Sequence, residues 1–359
     1  MLYYLYLLKP LFSPLNIFQY ITFRSACAFL TALFISLLSG PGMIRWLRGK
    51  KAHKVREDTP VQHQTKTGTP AMGGLIIYLA MTGACLLWAR IQDRFVLLIL
   101  ITSSILCVLG FVDDYLKASE KRKEGLSPSV KMGVQVFLAL GVAAYLYIDP
   151  PNLAYATSLS VPYSKGWFIY LGALYIPFCM MLLVGSSNAV NLADGLDGLA
   201  CGTVIISALT YSLFAYLAGH ARFSQYLRIV PVPGAGEMTV LLAALIGACL
   251  GFLWYNAHPA EVFMGDTGSL FLGGAIGVVA LCVKQELLLL IVGGIFVAEA
   301  LSVLLQVYFF RVHKHRIFKM APLHHHFEMI GWPESKVTIR FWIVAIILAL
   351  VAFASLKLR

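Results

Sequence analysis

Asp113, Asp114, Asp194, Asp197 and Asp266 each stand at the edge of a long apolar run. A carboxylate at the boundary of hydrocarbon is costly to keep, so it comes with a partner and a task. Five of them at one membrane face would hold a cation and, with it, phosphates. Asp266 is the first choice of metal ligand. It lies in Phe-Met-Gly-Asp-Thr-Gly-Ser (263–269), where Gly265 and Gly268 let backbone approach a ligand closely. Mg²⁺ fits such a site, since it takes oxygen ligands and commonly one or two carboxylates together with substrate phosphates.

Asn188, Asn191, Asp194 and Asp197 recur every third residue in the segment 188–200, and Gly195 and Gly198 interrupt them. Residues three apart share a helix face, but the stripe drifts over four of them. The spacing therefore predicts a helix end or a broken helix with polar groups turned to a cavity. Caps and turns are the plainer use of the same residue types. Adjacent helical positions point about 100° apart, so Asp113 and Asp114 are expected to differ in role. His324, His325 and His326 cannot easily ligate one ion, and imidazoles beside a phosphate suit them better. Lys66, Lys117 and Lys131 could supply positive charge to phosphates. Glu299 falls inside an apolar run, either as a functional acid or as the partner of a buried donor. The glycines of Thr69–Gly74 would permit close helix packing or close substrate approach.

The elements that position these residues follow from composition. Of 359 residues, 59% are hydrophobic and only 13% charged, too few charges for a soluble surface of this size. A span needs about 20 apolar residues. The runs 20–44, 71–90, 95–112, 130–148, 168–187, 198–219, 238–257, 269–283, 287–310 and 336–356 qualify, the eighth being short. The expected fold is thus an all-α integral membrane protein of about ten transmembrane helices in one domain, with residues 1–15 as an interfacial lead-in. The loops after the first, third and ninth runs carry most of the basic residues, among them Arg45, Arg48, Lys66, Lys117, Lys121, Lys131, Arg311 and Arg316. By the positive-inside rule these loops are cytoplasmic and both termini lie outside, in the periplasm. The aspartates and the histidine run then share the cytoplasmic face, as an active-site cleft would. The formal charge of +11 needs no nucleic acid to explain it. The seven cysteines form no Cys-x-x-Cys pair and read as buried small residues.

Five segments, 66–74, 110–117, 188–200, 263–269 and 321–328, together resemble the polyprenyl-phosphate N-acetylhexosamine-1-phosphate transferases over nearly the whole chain. The resemblance implies a bacterial inner-membrane enzyme of peptidoglycan synthesis, often a homodimer. It would move phospho-MurNAc-pentapeptide from UDP-MurNAc-pentapeptide to undecaprenyl phosphate, with Mg²⁺ required and UMP leaving. It implies Asp266 as the magnesium ligand and Asp113 as the residue that deprotonates or positions the lipid phosphate. Asp114 and His324 would assist at the phosphates, and Lys66, Lys117 and Lys131 would line the cleft. Asn191, Asp194, Gly195, Leu196, Asp197 and a stacking Phe263 would form the uridine site, with Asn256 and Gln306 nearby. Ala193, where many members carry Thr, is the one departure. The alternatives are a related transferase of GlcNAc-1-phosphate and, from a different class, a cation transporter. A transporter would favour midplane acids and internal repeats, neither of which is evident.

Overall fold

The computed structural model describes residues 2–49, 68–119, 125–164 and 166–357. Two 3₁₀ segments, Leu2–Leu8 and Ser13–Gln19, lead into α1 (Ile21–Arg48). α2 (Gly74–Trp88), α3 (Arg94–Ala118) and α4 (Pro128–Ile148) follow. Strands β1 (Ser158–Ser160) and β2 (Phe168–Tyr170) pair antiparallel, with Ser160 opposite Phe168. Next come α5 (Tyr175–Ala193), α6 (Leu199–Gly219), α7 (Ala221–Leu227), α8 (Gly236–Asn256) and α9 (Gly265–Cys282). The chain closes with α10 (Leu289–Val292), α11 (Gly294–His313), α12 (Leu323–Met329) and α13 (Glu334–Ala354). Among the described residues nine helices are long and apolar enough to cross a membrane, and α2 is a shorter apolar one. The chain is an all-α multi-pass membrane protein.

Local chemistry sets several helix starts. The Asp93 carboxylate accepts from the N–H groups of Phe95 and Val96 (3.0 and 3.3 Å) and so caps α3. Pro128 opens α4, where its missing N–H costs nothing. Two expected spans differ from the structure. The fifth begins at Tyr175 rather than 168, because the aromatic and β-branched residues Phe168–Tyr170 are spent on the hairpin. The ninth is broken at Gly293 into α10 and α11, where Gly293-Gly294 makes the helix easy to interrupt.

α9 is the axis of the molecule. Every residue from Thr267 to Cys282 is buried, with α3, α5 and α2 packed against it. Helices in lipid gain little from hydrophobicity and rely on close packing through small residues. A Cβ on Gly74 would fall 2.2 Å from the Gly268 Cα, and one on Gly273 would fall 2.4 Å from the Ser186 carbonyl oxygen. α8 packs in the same way between α1 and α6. The result brings the C-terminal ends of α3, α5 and α8 together with the N-terminal ends of α4, α6 and α9.

Candidate active site

The site is built around the start of α9. Asp114 Oδ2 accepts from the Thr267 N–H (2.9 Å) and hydroxyl (2.7 Å), and Oδ1 accepts from the Asp266 N–H (3.3 Å). Asp194 Oδ2, from the turn after α5, accepts from the Gly265 N–H (3.1 Å). Two carboxylates from other helices thus satisfy N–H groups that a helix N-terminus leaves open, where the helix dipole also favours negative charge. Burial pushes the Asp194 carboxyl well above the usual carboxylate range, and the charges of Asp266 and Asp114 push it the same way. A cation bound beside it would oppose that shift.

Asp113, one residue from Asp114, turns elsewhere. Its Oδ1 accepts from the Leu126 N–H (2.8 Å), and its Oδ2 pairs with Lys117 (2.6 Å) and Lys131 (3.2 Å). Asp266 Oδ2 pairs with the same two lysines, with Lys117 at 3.1 Å and with Lys131 in close contact. Its Oδ1 accepts from the Asn191 amide (2.7 Å), which also reaches Ser269 (2.8 Å). Two ammonium groups are therefore shared between two carboxylates. The lysines remain 25% and 21% exposed and Asp266 15%, so the cluster is reachable from outside the protein. Carboxylate oxygens of Asp113, Asp114 and Asp266 lie within 4.8 Å of one another. This all-oxygen donor set suits magnesium. Asp114 is committed to capping α9 and the buried Asp113 to the Leu126 N–H and both lysines, which leaves the more exposed Asp266 as the better-placed ligand.

Beside this cluster α5 stops at Ala193, and residues 194–198 form the break that leads into α6. Gly198 adopts φ 74°, a conformation that favours glycine. Asn256 holds the turn, its Oδ1 accepting from the Gly198 N–H (3.1 Å) and its amide donating to the Val262 carbonyl (2.9 Å). Asp197 Oδ2 accepts from the Ala260 N–H and faces His258 Nδ1, both at 3.1 Å, while its own N–H donates to Glu334 Oε1 (2.7 Å). Leu196 anchors the turn in an apolar group with Leu199, Val337 and Phe341. Phe263 is half-buried. Its backbone pairs with residues 70–73, the Phe263 N–H donating to Pro70 and the Gly73 N–H donating to Phe263. The buried His324 ring packs on Gly195.

The family described as glycosyl transferase family 4 matches residues 96–284, which hold both halves of this arrangement up to α9. A protein of Endomicrobium trichonymphae named phospho-N-acetylmuramoyl-pentapeptide-transferase is 52% identical over 361 residues, covering 100% of both chains. Proteins of the same name from Thermodesulfovibrio yellowstonii and Geobacter sp. (strain M21) are 49% and 53% identical, over 99% and 100% of both chains. The chain belongs to the phospho-N-acetylmuramoyl-pentapeptide-transferase family. It is a membrane transferase.

In this member of the phospho-N-acetylmuramoyl-pentapeptide-transferase family, the remaining candidates lie further out. Asn188 donates to Gln135 and to the Val184 carbonyl. Gln306 braces the following loop, accepting from the Ile317 and Phe318 N–H groups and donating to the Phe318 carbonyl. His325 pairs with Glu328 (2.8 Å), and His326 Nδ1 accepts from the Lys319 N–H (3.1 Å). Lys66 lies outside the described residues. Thr267 and Ser269 join the site without having been singled out, although they sit in the same short motif as Asp266. His258 and Glu334 carry no spacing signal at all, because only the fold brings them to Asp197.

Proposed function

We propose that this chain transfers phospho-MurNAc-pentapeptide from UDP-MurNAc-pentapeptide to undecaprenyl phosphate, giving lipid I and UMP in peptidoglycan synthesis. The observation that carries this reading is the sharing of Lys117 and Lys131 between Asp113 and Asp266, beside the broken α5–α6 segment. A lipid phosphate must meet a diphosphate, and like charges resist that encounter. Lys117 and Lys131 neutralise part of it, and Lys66 would add to them. Asp113 accepts the proton of the lipid phosphate and holds both lysines in place. An oxygen of the lipid phosphate attacks the sugar-bearing phosphorus of the donor. The bond from that phosphorus to UMP breaks, and UMP leaves.

Asp266 would hold Mg²⁺, which when bound would offset charge on the transferring and leaving phosphates. Asp114 fixes Asp266 by capping α9. Asn191, Asp194, Gly195, Leu196 and Asp197 form the uridine site, with Phe263 as its stacking face and Asn256 as the brace of the turn. His324 stands behind that turn, and Asn188, Gln306, His325 and His326 support the surrounding loops. In this reading the cleft faces the cytoplasm from a bacterial inner membrane with both termini in the periplasm, which the basic loops support by the positive-inside rule, and the protein works as a homodimer.

The test is UMP release by purified protein in nanodiscs containing undecaprenyl phosphate and Mg²⁺. UDP-MurNAc-pentapeptide and UDP-GlcNAc are offered in parallel. Release from the muramoyl donor, dependent on the lipid and abolished by EDTA, is expected. Release from UDP-GlcNAc alone would assign a different donor, and lipid-independent release would overturn the transfer.

A further inference from the structure

Glu299 lies in α11 and is fully buried, as is His324. Its carboxylate grips His324 twice: Oε1 accepts from the backbone N–H (3.2 Å), and Oε2 faces ring Nδ1 at 3.1 Å. An ionised carboxylate can only accept, so this grip requires Nδ1 to be the protonated ring nitrogen, the point that nitrogen-15 NMR tests. The other ring nitrogen, Nε2, is buried and has no hydrogen-bond partner among the described residues. Leaving a buried polar atom unsatisfied is costly and calls for an explanation. Nε2 faces the turn between α5 and α6, and a Cβ on Gly195 would fall 2.2 Å from it. Gly195 is next to Asp194, whose carboxylate accepts from the Gly265 N–H at the start of α9.

We infer that Glu299 is a positioning residue. By holding both the backbone and Nδ1 of His324, it keeps Nε2 directed at the 194–198 turn and so seats that turn for the UDP-linked donor. This rests on the assignment of the turn to the nucleotide. His324 alone could rotate about its side-chain bonds, and Glu299 removes that freedom at the cost of an acid buried in a membrane span. Gly195 takes part because any side chain there would displace the ring.

Two measurements test this. In donor titrations, Glu299→Ala should raise KM for UDP-MurNAc-pentapeptide about tenfold and leave kcat within threefold. Glu299→Gln keeps a carbonyl acceptor for Nδ1–H but sets an amide N–H against the backbone donor, so it should raise KM by less than Glu299→Ala does and leave kcat within threefold. His324→Ala should raise KM by itself, and adding Glu299→Ala to it should raise KM by less than Glu299→Ala does alone, since the ring half of the grip is already gone and only the backbone hydrogen bond remains to be lost. An unchanged KM in Glu299→Ala, a loss confined to kcat, or two losses that multiply would each overturn the inference. The second measurement needs no turnover. Nitrogen-15 NMR of labelled histidines should show a His324 signal with the proton on Nδ1, identified by its absence from His324→Ala and altered in Glu299→Ala. The same ring signal with and without Glu299 would overturn the grip. If that signal behaves as expected and the chain proves inactive toward the muramoyl donor, the assigned reaction fails and the grip stands.

Discussion

At one end of α9 stand Asp113, Asp114, Asp266, Lys117 and Lys131. Past its other end, about 27 Å away for 18 residues, stand Lys284 and Glu286. Both groups contain acids and lysines in a protein that keeps few charges. At the far end Lys284 and Glu286 meet at 2.9 Å with neither side chain exposed. Tyr175 joins them, donating to Glu286 (3.0 Å) and accepting from Lys284 (3.0 Å), and the Ala156 carbonyl takes a further hydrogen bond from Lys284. There one cation matches one anion behind a seal of protein. At the near end, among the described residues, three acids face two ammonium groups, and the lysines and Asp266 stay partly exposed. A sealed pair with matched charge is structure. An open cluster of carboxylates and lysines has the chemistry to meet a charged ligand, as the proposed reaction requires.

The sharpest way to break this comparison is Asp266→Asn. It should reduce UMP release by about 10⁴-fold or more, roughly 5.5 kcal/mol of transition-state stabilisation, with the melting temperature nearly unchanged. A large loss of stability instead would make the near cluster structural as well. Glu286→Ala should do the reverse. Stranding Lys284 in the interior should cost about 3–5 kcal/mol of stability, measured by thermal unfolding, while UMP release per folded molecule stays as it was. The paired change Lys284→Met with Glu286→Leu should recover most of that loss. Lys131→Met comes next, with an expected fall of about 10²-fold in kcat, close to 2.7 kcal/mol, because one shared ammonium remains. The smallest effect belongs to Asn256→Ala, which loosens the turn without touching the charges. It should raise KM for the donor about tenfold, near 1.4 kcal/mol, and leave kcat alone.

Much of this site is legible in the sequence because its residues sit in short motifs at the ends of apolar runs. Asp113 and Asp114 turn to different partners, as their 100° offset requires, and the glycine-broken segment 194–198 does end one helix and begin the next. Glu299 was readable as an intramembrane acid, and its partner is a buried donor, His324. Other parts were hidden for physical reasons. Glu334 meets Asp197 across more than a hundred residues, and nothing local marks either end of a long-range hydrogen bond. The strand Phe168–Tyr170 reads as hydrophobic span because apolar composition does not separate a short hairpin from a helix start. The break at Gly293 is masked by the unbroken apolarity around it.

The two halves of the site are joined by the Gly265 N–H donating to the Asp194 carboxylate and by the Asn191 amide donating to Asp266. Asp266 follows Gly265 directly, and Gly195 follows Asp194. Whatever tightens the 194–198 turn therefore acts on the first residue of α9, and whatever draws on Asp266 acts on the turn. In the language of linked equilibria, a ligand on the turn that strengthens the Gly265–Asp194 contact would alter the affinity for a cation at Asp266, and the cation would alter the turn's affinity by the same factor.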